Sequence, residues 1–187
     1  MAGGVALREL SLHLLDLLEN SVRAGARNVR VEITELHDRN VLELVVDDDG
    51  HGLRTSVEKV LDPFYTTKGG KRTGLGLPLR RATAEAAGGR LSLGRSESGG
   101  VRVEAWMQLD HVDRVPLGDL ATTLSTLACT TPEVDFCCAL RVGERAVEIS
   151  VEQVRLALGD CGDDPIAVSL ELAEGIREGQ RALGMKA

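Results

Sequence analysis

A leucine-rich run from Leu7 to Ala24 constrains the fold of this 187-residue chain more than any other feature. At about 100° per residue, leucines cover most of the helix circumference, and four polar side chains fall within an arc of about 60°. These four are Glu9, His13, Asp16 and Asn20. A helix covered on most sides exposes a polar stripe only to solvent or to a cavity. The run therefore predicts a buried helix whose stripe is either a solvated edge or one wall of a binding site.

Alternating apolar and polar residues predict the elements that follow this helix. Gly25 ends the helix, because glycine suits the left-handed position beyond a helix terminus. Two strands follow at 29–33 and 41–46, and then a short helix at 56–61. A glycine-rich loop at 69–77 leads into a longer helix that continues to Ala87, and a hairpin follows with strands at 90–94 and 101–109. This order favours a two-layer α/β sandwich in which helices cover one face of the sheet.

The segment 110–118, which contains Pro116, is the predicted boundary between two units. The first unit is 1–112 and the second is 113–187. The second unit has the patterns of a helix, a hairpin and two more helices, and we can name no chemical motif in it. We therefore expect a small α+β C-terminal module of unknown role.

The composition argues against several classes of function. The net charge is −7, and no broad cluster of Lys and Arg is present to replace the counterions of nucleic acid. No segment approaches the ~20 apolar residues that span a bilayer, and the start lacks the regions of a signal peptide. We therefore expect a cytoplasmic protein that binds neither nucleic acid nor membrane.

The four cysteines lack C-x-x-C spacing, which favours reduced thiols over a metal or redox site.

An acidic turn follows the second predicted strand, with the sequence Asp-Asp-Gly-His-Gly at 48–52. The side-chain-free positions Gly50 and Gly52 let a flat heterocycle lie against the backbone, while Asp48 accepts a hydrogen bond from an exocyclic amine. The alternatives are an ordinary Asp-Gly turn and a calcium loop, although the ligand spacing of an EF-hand is missing.

A basic, glycine-rich loop precedes the helix that ends near Ala87. Gly74, Leu75 and Gly76 lead into this helix, whose first amides and positive end suit an anion such as phosphate. Lys68, Lys71 and Arg72 add positive charge. The loop matches neither the phosphate loop of the G-x-x-x-x-G-K-[ST] type nor the dinucleotide pattern G-x-G-x-x-G, so a phosphate site and a flexible turn both remain open.

Two residues on the opening helix could act on a phosphate. Asn20 offers an amide oxygen, a hard ligand of the kind that Mg²⁺ prefers. Asp16 lies one turn earlier on the same face, where it could deprotonate a water or hydroxyl that attacks a phosphoryl group.

Together these motifs resemble the GHKL nucleotide-binding superfamily of gyrase-type topoisomerases, ninety-kilodalton heat-shock chaperones, histidine kinases and mismatch-repair ATPases. The resemblance covers about Leu7 to Leu109 and rests on four matches. Residues 16–21 (Asp-Leu-Leu-Glu-Asn-Ser) are similar to the asparagine box, and Asp48-x-Gly50-x-Gly52 to the first glycine box. Residues 62–68 (Asp-Pro-Phe-Tyr-Thr-Thr-Lys) are similar to the phenylalanine box of histidine kinases, and residues 73–77 (Thr-Gly-Leu-Gly-Leu) to the second glycine box.

The resemblance implies a Bergerat fold, a mixed and mostly antiparallel sheet with helices on one face, and the cofactors ATP and Mg²⁺. It implies that Asn20 ligates the metal, that Asp48 binds the adenine amine, and that Gly50 and Gly52 shape the base pocket. It further implies that residues 65–73 form a lid, and that this lid and the second glycine box bind the phosphates. The residues implied in phosphate binding are Lys68, Lys71, Arg72, Thr73, Gly74, Leu75 and Gly76.

Two positions depart from the family pattern. Asp16 stands where the ATPases and anti-sigma kinases of the superfamily carry a Glu as general base, so its side chain is one methylene shorter. Val101 stands where many relatives carry a Thr that supports a water network at the adenine.

We carry two hypotheses for function. In the first, the chain is an enzyme that passes the γ-phosphoryl group of ATP to a partner protein or to water, with Asp16 as base. In the second, it is an ATP-gated binding module without obligatory hydrolysis. No dimerising helical hairpin with a phosphoacceptor His fits before Leu7, and we expect His13 to be structural or on the phosphate side. We therefore expect a stand-alone nucleotide domain with an unidentified protein partner, and a homodimer remains open. The layout also resembles small bacterial ATP-binding proteins that accompany iron-only hydrogenase systems.

Overall fold

Alternating apolar side chains build the central sheet of the computed structural model, which describes residues 9–53, 57–60 and 76–185. The strands are β1 (Asn28–Leu36), β2 (Val41–Asp48), β3 (Arg90–Arg95), β4 (Val101–Gln108), β5 (Asp135–Val142) and β6 (Arg145–Ser150). Their spatial order is β3-β4-β2-β1-β5-β6. The β1–β5 pair is parallel, and the other neighbouring pairs are antiparallel. The prediction of a mixed, mostly antiparallel sheet is confirmed.

Helices bury one face of this sheet. They are α1 (Leu10–Arg23), α3 (Gly76–Ala86), α4 (Leu120–Thr130), α5 (Val151–Leu158) and α6 (Pro165–Leu183), and the described residues also include a short helix α2 (Val57–Val60) and a 3-10 turn at Gly159–Cys161. Leu14 and Leu18 of α1 are fully buried in one core with alternate residues of the strands, such as Val31 and Ile33 of β1. Helices α3, α4, α5 and α6 add side chains to the same core. The expected two-layer sandwich is therefore present in the described residues.

Polar residues occupy the other face of the sheet. Arg30 of β1 donates hydrogen bonds to Glu32 on the same strand and to Glu148 of β6. Arg102 of β4 forms ion pairs with Asp47 and Glu104. In β1 and β4 these charges alternate with buried apolar positions, which is the pattern of a half-solvated sheet. On the same face, Val45 of β2 and Ala139 of β5 are buried apolar residues.

Residues 113–187 add two strands to the same sheet. Strand β5 lies beside β1 from Asn28 opposite Asp135 to Glu35 opposite Val142, and β6 continues the sheet outward. One sheet thus contains strands from both sides of the predicted boundary at residue 112. The division of the chain into the units 1–112 and 113–187 stays a prediction. None of the described helices is both long enough and apolar enough to cross a membrane.

The first helix ends as its sequence predicts. Gly25 takes a positive φ of 77° just beyond α1. At the other end, the amides of Leu10 and Ser11 donate to the carbonyls of Pro116 and Leu117 at 2.9 and 2.8 Å. The first turn of a helix has amides without intrahelical partners, so the segment that leads into α4 satisfies two of them.

Candidate functional site

Asp48 is the buried centre of the acidic turn. It is the last residue of β2 and is only 5% exposed. Its Oδ2 accepts a hydrogen bond from Ser21 Oγ at 2.7 Å, and its Oδ1 accepts from the amides of Gly50 at 2.9 Å and Val101 at 3.2 Å. Three donors from α1, the turn and β4 therefore fix the carboxylate, as a buried charge requires.

The neighbouring carboxylates serve the fold. Asp47 forms an ion pair with Arg102 at 2.9 Å and accepts a hydrogen bond from Ser96. Asp49 accepts from the amides of Arg27 and Asn28 at 2.7 and 3.0 Å and from the Asn28 side chain. Burial raises the pKa of Asp49, but these hydrogen bonds outweigh it and hold the pKa below its ordinary value. Of the three consecutive aspartates, Asp48 is thus the only buried one, and its contact with a ligand stays a prediction.

Glycines around Asp48 leave no room for side chains. A methyl group at Gly50 would lie 2.9 Å from the Ala24 Cβ and 3.1 Å from Asp48 Oδ1. Gly52 has a positive φ of 72°, which L-residues rarely adopt. Gly100, in the turn before β4, is tighter still, because its methyl group would lie 2.2 Å from Asp48 Oδ1. These glycines let the turn pack closely around Asp48, and the roles of Gly50 and Gly52 in a base pocket stay predictions.

Asn20 directly precedes Ser21, so α1 carries both the predicted metal ligand and a partner of Asp48. The Asn20 Oδ1 accepts a hydrogen bond from Arg23 Nη2 at 2.6 Å, and Arg23 also pairs with Glu19 at 3.3 Å. A neutral amide oxygen fits Mg²⁺, which typically binds through one or two protein oxygens together with phosphate oxygens and water. An amide oxygen has two lone pairs, so one remains for a cation beside the hydrogen bond from Arg23. The described residues contain no cluster of three or more His, Cys, Asp or Glu side chains that could hold a metal by themselves.

Asp16 lies in an ion pair that the sequence did not indicate. Arg80 of α3 donates from Nη2 to Asp16 Oδ2 at 2.8 Å and from Nε to the carbonyl of His13 at 2.9 Å. Arg80 is 5% exposed, whereas the Asp16 side chain is 39% exposed. Burial lowers the pKa of Arg80, and the charge of Asp16 opposes that shift. His13 is itself buried and lines a small apolar cavity between α1, α3 and the sheet.

The phosphate side of the site is described in part. Gly76 is the first residue of α3, and Pro78 lies in the first turn of the helix, where no amide hydrogen is needed. A helix thus begins at this glycine, and its contact with a phosphate stays a prediction. The other predicted phosphate-side residues lie outside the described residues: Lys68, Lys71, Arg72, Thr73, Gly74 and Leu75.

Sequence reasoning missed three residues of the site. Ser21 lies on the leucine-covered side of α1, and a hydroxyl there was a signal for a buried partner. Arg80 shares a helical face with the buried Ala84 and Ala87, so a charge at that position was a signal of the same kind. Gly100 gave no such signal, because its need for a bare Cα arises from the approach of Asp48 across the sheet.

Comparison with known proteins places this geometry in a family. The family model described as "Histidine kinase-, DNA gyrase B-, and HSP90-like ATPase" matches residues 7–111, which is more than half of the chain. The chain is 34% identical over 110 residues to Sensor protein kinase CarS of Pseudomonas aeruginosa, covering 57% of this chain and 24% of CarS. It is 36% identical over 90 residues to Sensor histidine kinase GtrS of the same organism, covering 47% of this chain and 18% of GtrS. The chain therefore spans about a quarter or less of these relatives.

A solved structure supports the fold alone. The N-terminal domain of a DNA repair protein aligns with a TM-score of 0.50 and 12% identity, covering 84% of this chain and 59% of that one. The alignment covers more of this chain than the 7–111 of the family match.

Proposed function

This chain belongs to the histidine kinase-, DNA gyrase B- and HSP90-like ATPase family, and we propose that it binds ATP with Mg²⁺ and passes the γ-phosphoryl group to a partner protein or to water. The observation that carries the proposal is the Asp48 carboxylate, which is buried and fixed by Ser21, Gly50 and Val101. A carboxylate held in this way is an acceptor of fixed direction for an exocyclic amine, such as the amine of adenine.

The residues of this chain divide the work as follows. Asp48 accepts a hydrogen bond from the base, while Gly50 and Gly52 let the turn close tightly around this carboxylate. The amides at the start of α3 suit a phosphate. Asn20 would hold Mg²⁺, which neutralises phosphate charge when it is bound. Asp16 accepts the proton of the attacking hydroxyl or water, a new O–P bond forms at the γ-phosphorus, and the bond to the bridging oxygen breaks as ADP leaves.

Val101 does not deprive Asp48 of support. The family's Thr is absent, but the Val101 amide donates to Asp48 Oδ1 and Ser21 donates to Oδ2. Neither of these two donors depends on the side chain at position 101, which favours retention of the adenine-binding role of Asp48.

Transfer of labelled phosphate tests the proposal. The full chain is recovered from its native cells with the proteins that accompany it, and ATP labelled at the γ-phosphate is added with Mg²⁺. We expect label on a partner protein or in released phosphate, loss of turnover but not of ATP binding in Asp16→Asn, and loss of ATP binding in Asp48→Asn. Asp38→Asn, in the exposed β1–β2 turn, is the matched control and is expected to behave like the unaltered chain. ATP binding without any transfer or hydrolysis would contradict the catalytic part of the proposal.

A second candidate is an ATP-gated binding module in the cytoplasm, for example one that is accessory to a redox enzyme complex. The amides of Leu10 and Ser11 donate to the carbonyls of Pro116 and Leu117, so the helix that carries Asn20 is tied directly to the 113–187 region. This candidate predicts that ATP changes hydrogen exchange at these two amides and the affinity for a partner, even when Asp16→Asn has removed turnover. Unchanged exchange at saturating ATP would contradict it.

A further inference from the structure

Arg80 joins the two helices that carry the candidate site. It lies in the second turn of α3, after Gly76, and its guanidinium donates to the carbonyl of His13 and to the carboxylate of Asp16 on α1. One buried side chain therefore connects the helix of the glycine loop to the helix of the proposed base.

The ion pair is asymmetric. Arg80 is 5% exposed and two of its nitrogens are bound to α1, so its position is set by the protein. The Asp16 side chain is 39% exposed, so it is the outward member of the pair. Because Arg80 is shielded from solvent, Asp16 is the member of the pair that a ligand can reach.

Stability alone does not account for an arginine at this position. Arg80 faces the apolar cavity lined by Leu14 and Leu17, and its Nη1 is buried with no hydrogen-bond partner in the described part of the chain. A buried charge and an unsatisfied donor both cost folding free energy, and an apolar side chain of similar length would avoid both costs.

We propose that Arg80 is a positioning residue for phosphoryl transfer, which holds Asp16 in the orientation that accepts the proton of the attacking group. The inference rests on the proposed function. An aspartate is one methylene shorter than a glutamate, so the Asp16 carboxylate reaches less far from α1. The hydrogen bond from Arg80 to Asp16 Oδ2 fixes the orientation of this carboxylate. Since Arg80 is anchored on α3, the same bond keeps the base in register with the helix whose N-terminus suits a phosphate.

A double-mutant cycle on ATP turnover tests this role. The full chain carrying Arg80→Met, Arg80→Lys, Asp16→Asn or Asp16→Asn with Arg80→Met is compared at saturating and limiting ATP. We expect Arg80→Met to lower kcat about tenfold or more with little change in KM, since a small misplacement of a reacting group has costs of this size. Arg80→Lys should recover part of kcat. On the residual turnover of Asp16→Asn, followed at high enzyme concentration, Arg80→Met should have no further effect, because the group that it positions is gone.

A matched control separates this role from a general effect on α3. Arg81 is the next residue, is half exposed and pairs with Glu85, so Arg81→Met makes the same chemical change on the same helix without touching α1. Equal kcat for Arg80→Met and Arg81→Met would overturn the inference while leaving the proposed function intact, and so would independent, multiplying effects of the Asp16 and Arg80 changes.

Failure of the proposed function gives a different result. An unaltered chain that binds ATP and turns none over with its partners would remove the catalytic proposal and the role of Arg80 with it. Thermal unfolding and its shift on ATP addition show whether each variant is folded and binds nucleotide. If Arg80→Met does not fold, Arg80→Lys and its cycle with Asp16→Asn decide the question, because lysine keeps the charge that balances Asp16.

Discussion

Ser21 Oγ of α1 donates a hydrogen bond at 2.7 Å to Oδ2 of Asp48, which lies 27 residues later in the chain at the end of β2. The bond links the centre of the proposed adenine site to α1, and Asn20, the proposed metal ligand, is the residue before Ser21. One turn of α1 therefore carries both the proposed metal ligand at the phosphates and the hydroxyl that supports the proposed adenine site. The placement of Asp48 and that of Asn20 are consequently coupled.

Removal of this hydroxyl is expected to weaken ATP binding. In Ser21→Ala, Asp48 keeps the amides of Gly50 and Val101 and loses one charge-assisted hydrogen bond, so its Oδ2 is no longer held. A bond of this kind contributes about 1.5 kcal/mol, which corresponds to about tenfold in affinity. Titration calorimetry with ATP measures the change. Ser11→Ala is the control, because Ser11 is equally buried on α1 but donates to Glu9 and not to Asp48. Equal affinities of the two variants would show that Ser21 does not support the site.

Gly100→Ala is expected to abolish ATP binding with the sheet retained. The added methyl group would lie 2.2 Å from Asp48 Oδ1 and 2.6 Å from the Gly50 amide nitrogen, so both must move. The acidic turn is thereby displaced where its carboxylate must be fixed. ATP titration together with circular dichroism checks this outcome. Gly94→Ala, on the neighbouring strand, meets nothing within 4 Å and is expected to bind ATP normally. Wild-type affinity in Gly100→Ala would mean that the turn tolerates the displacement.

The sequence predicted the parts of this site that depend on local pattern. The polar stripe of α1, the Asp-Gly turn after β2 and the glycine before α3 are each encoded within a few residues, so their periodicity and backbone freedom could be recognised. Ser21, Gly100 and Arg80 matter because chain segments far apart in sequence meet, and no local pattern encodes such a meeting. The same limit applies to the sheet. All three hairpins could be predicted from alternation, but the parallel pairing of β5 with β1 joins residues 107 apart, as Arg30 and Cys137 are.

Acid is expected to destabilise the protein in part through Asp49. Because the pKa of this carboxyl is lower in the folded chain than its ordinary value, the folded state binds fewer protons than the unfolded state. The stabilisation is therefore complete above about pH 4, near the ordinary value, and is lost as the pH falls through the lower pKa of the folded state. Urea unfolding at a series of pH values should give a shallower acid limb for Asp49→Asn than for the unaltered chain. Parallel limbs would show that the hydrogen bonds from Arg27 and Asn28 do not depend on the charge.

The Asp16–Arg80 pair is expected to respond unequally to loss of each partner. Asp16→Asn leaves the buried Arg80 guanidinium without its counter-charge, which costs about 2 kcal/mol of folding free energy even though water can reach the outer side of the pair. Arg80→Met removes the buried charge and lets Asp16 be hydrated, so the change stays within about 1 kcal/mol. Urea unfolding at neutral pH without nucleotide measures both, and Arg81→Met, on the solvent side of α3, should lie within about 0.5 kcal/mol of the unaltered chain. Stability and turnover should therefore not change in parallel. Asp16→Asn loses stability together with the base, whereas Arg80→Met loses only the side chain that orients the base and stays nearly as stable as the unaltered chain. A larger loss of stability in Arg80→Met than in Asp16→Asn would show that the arginine is retained for packing.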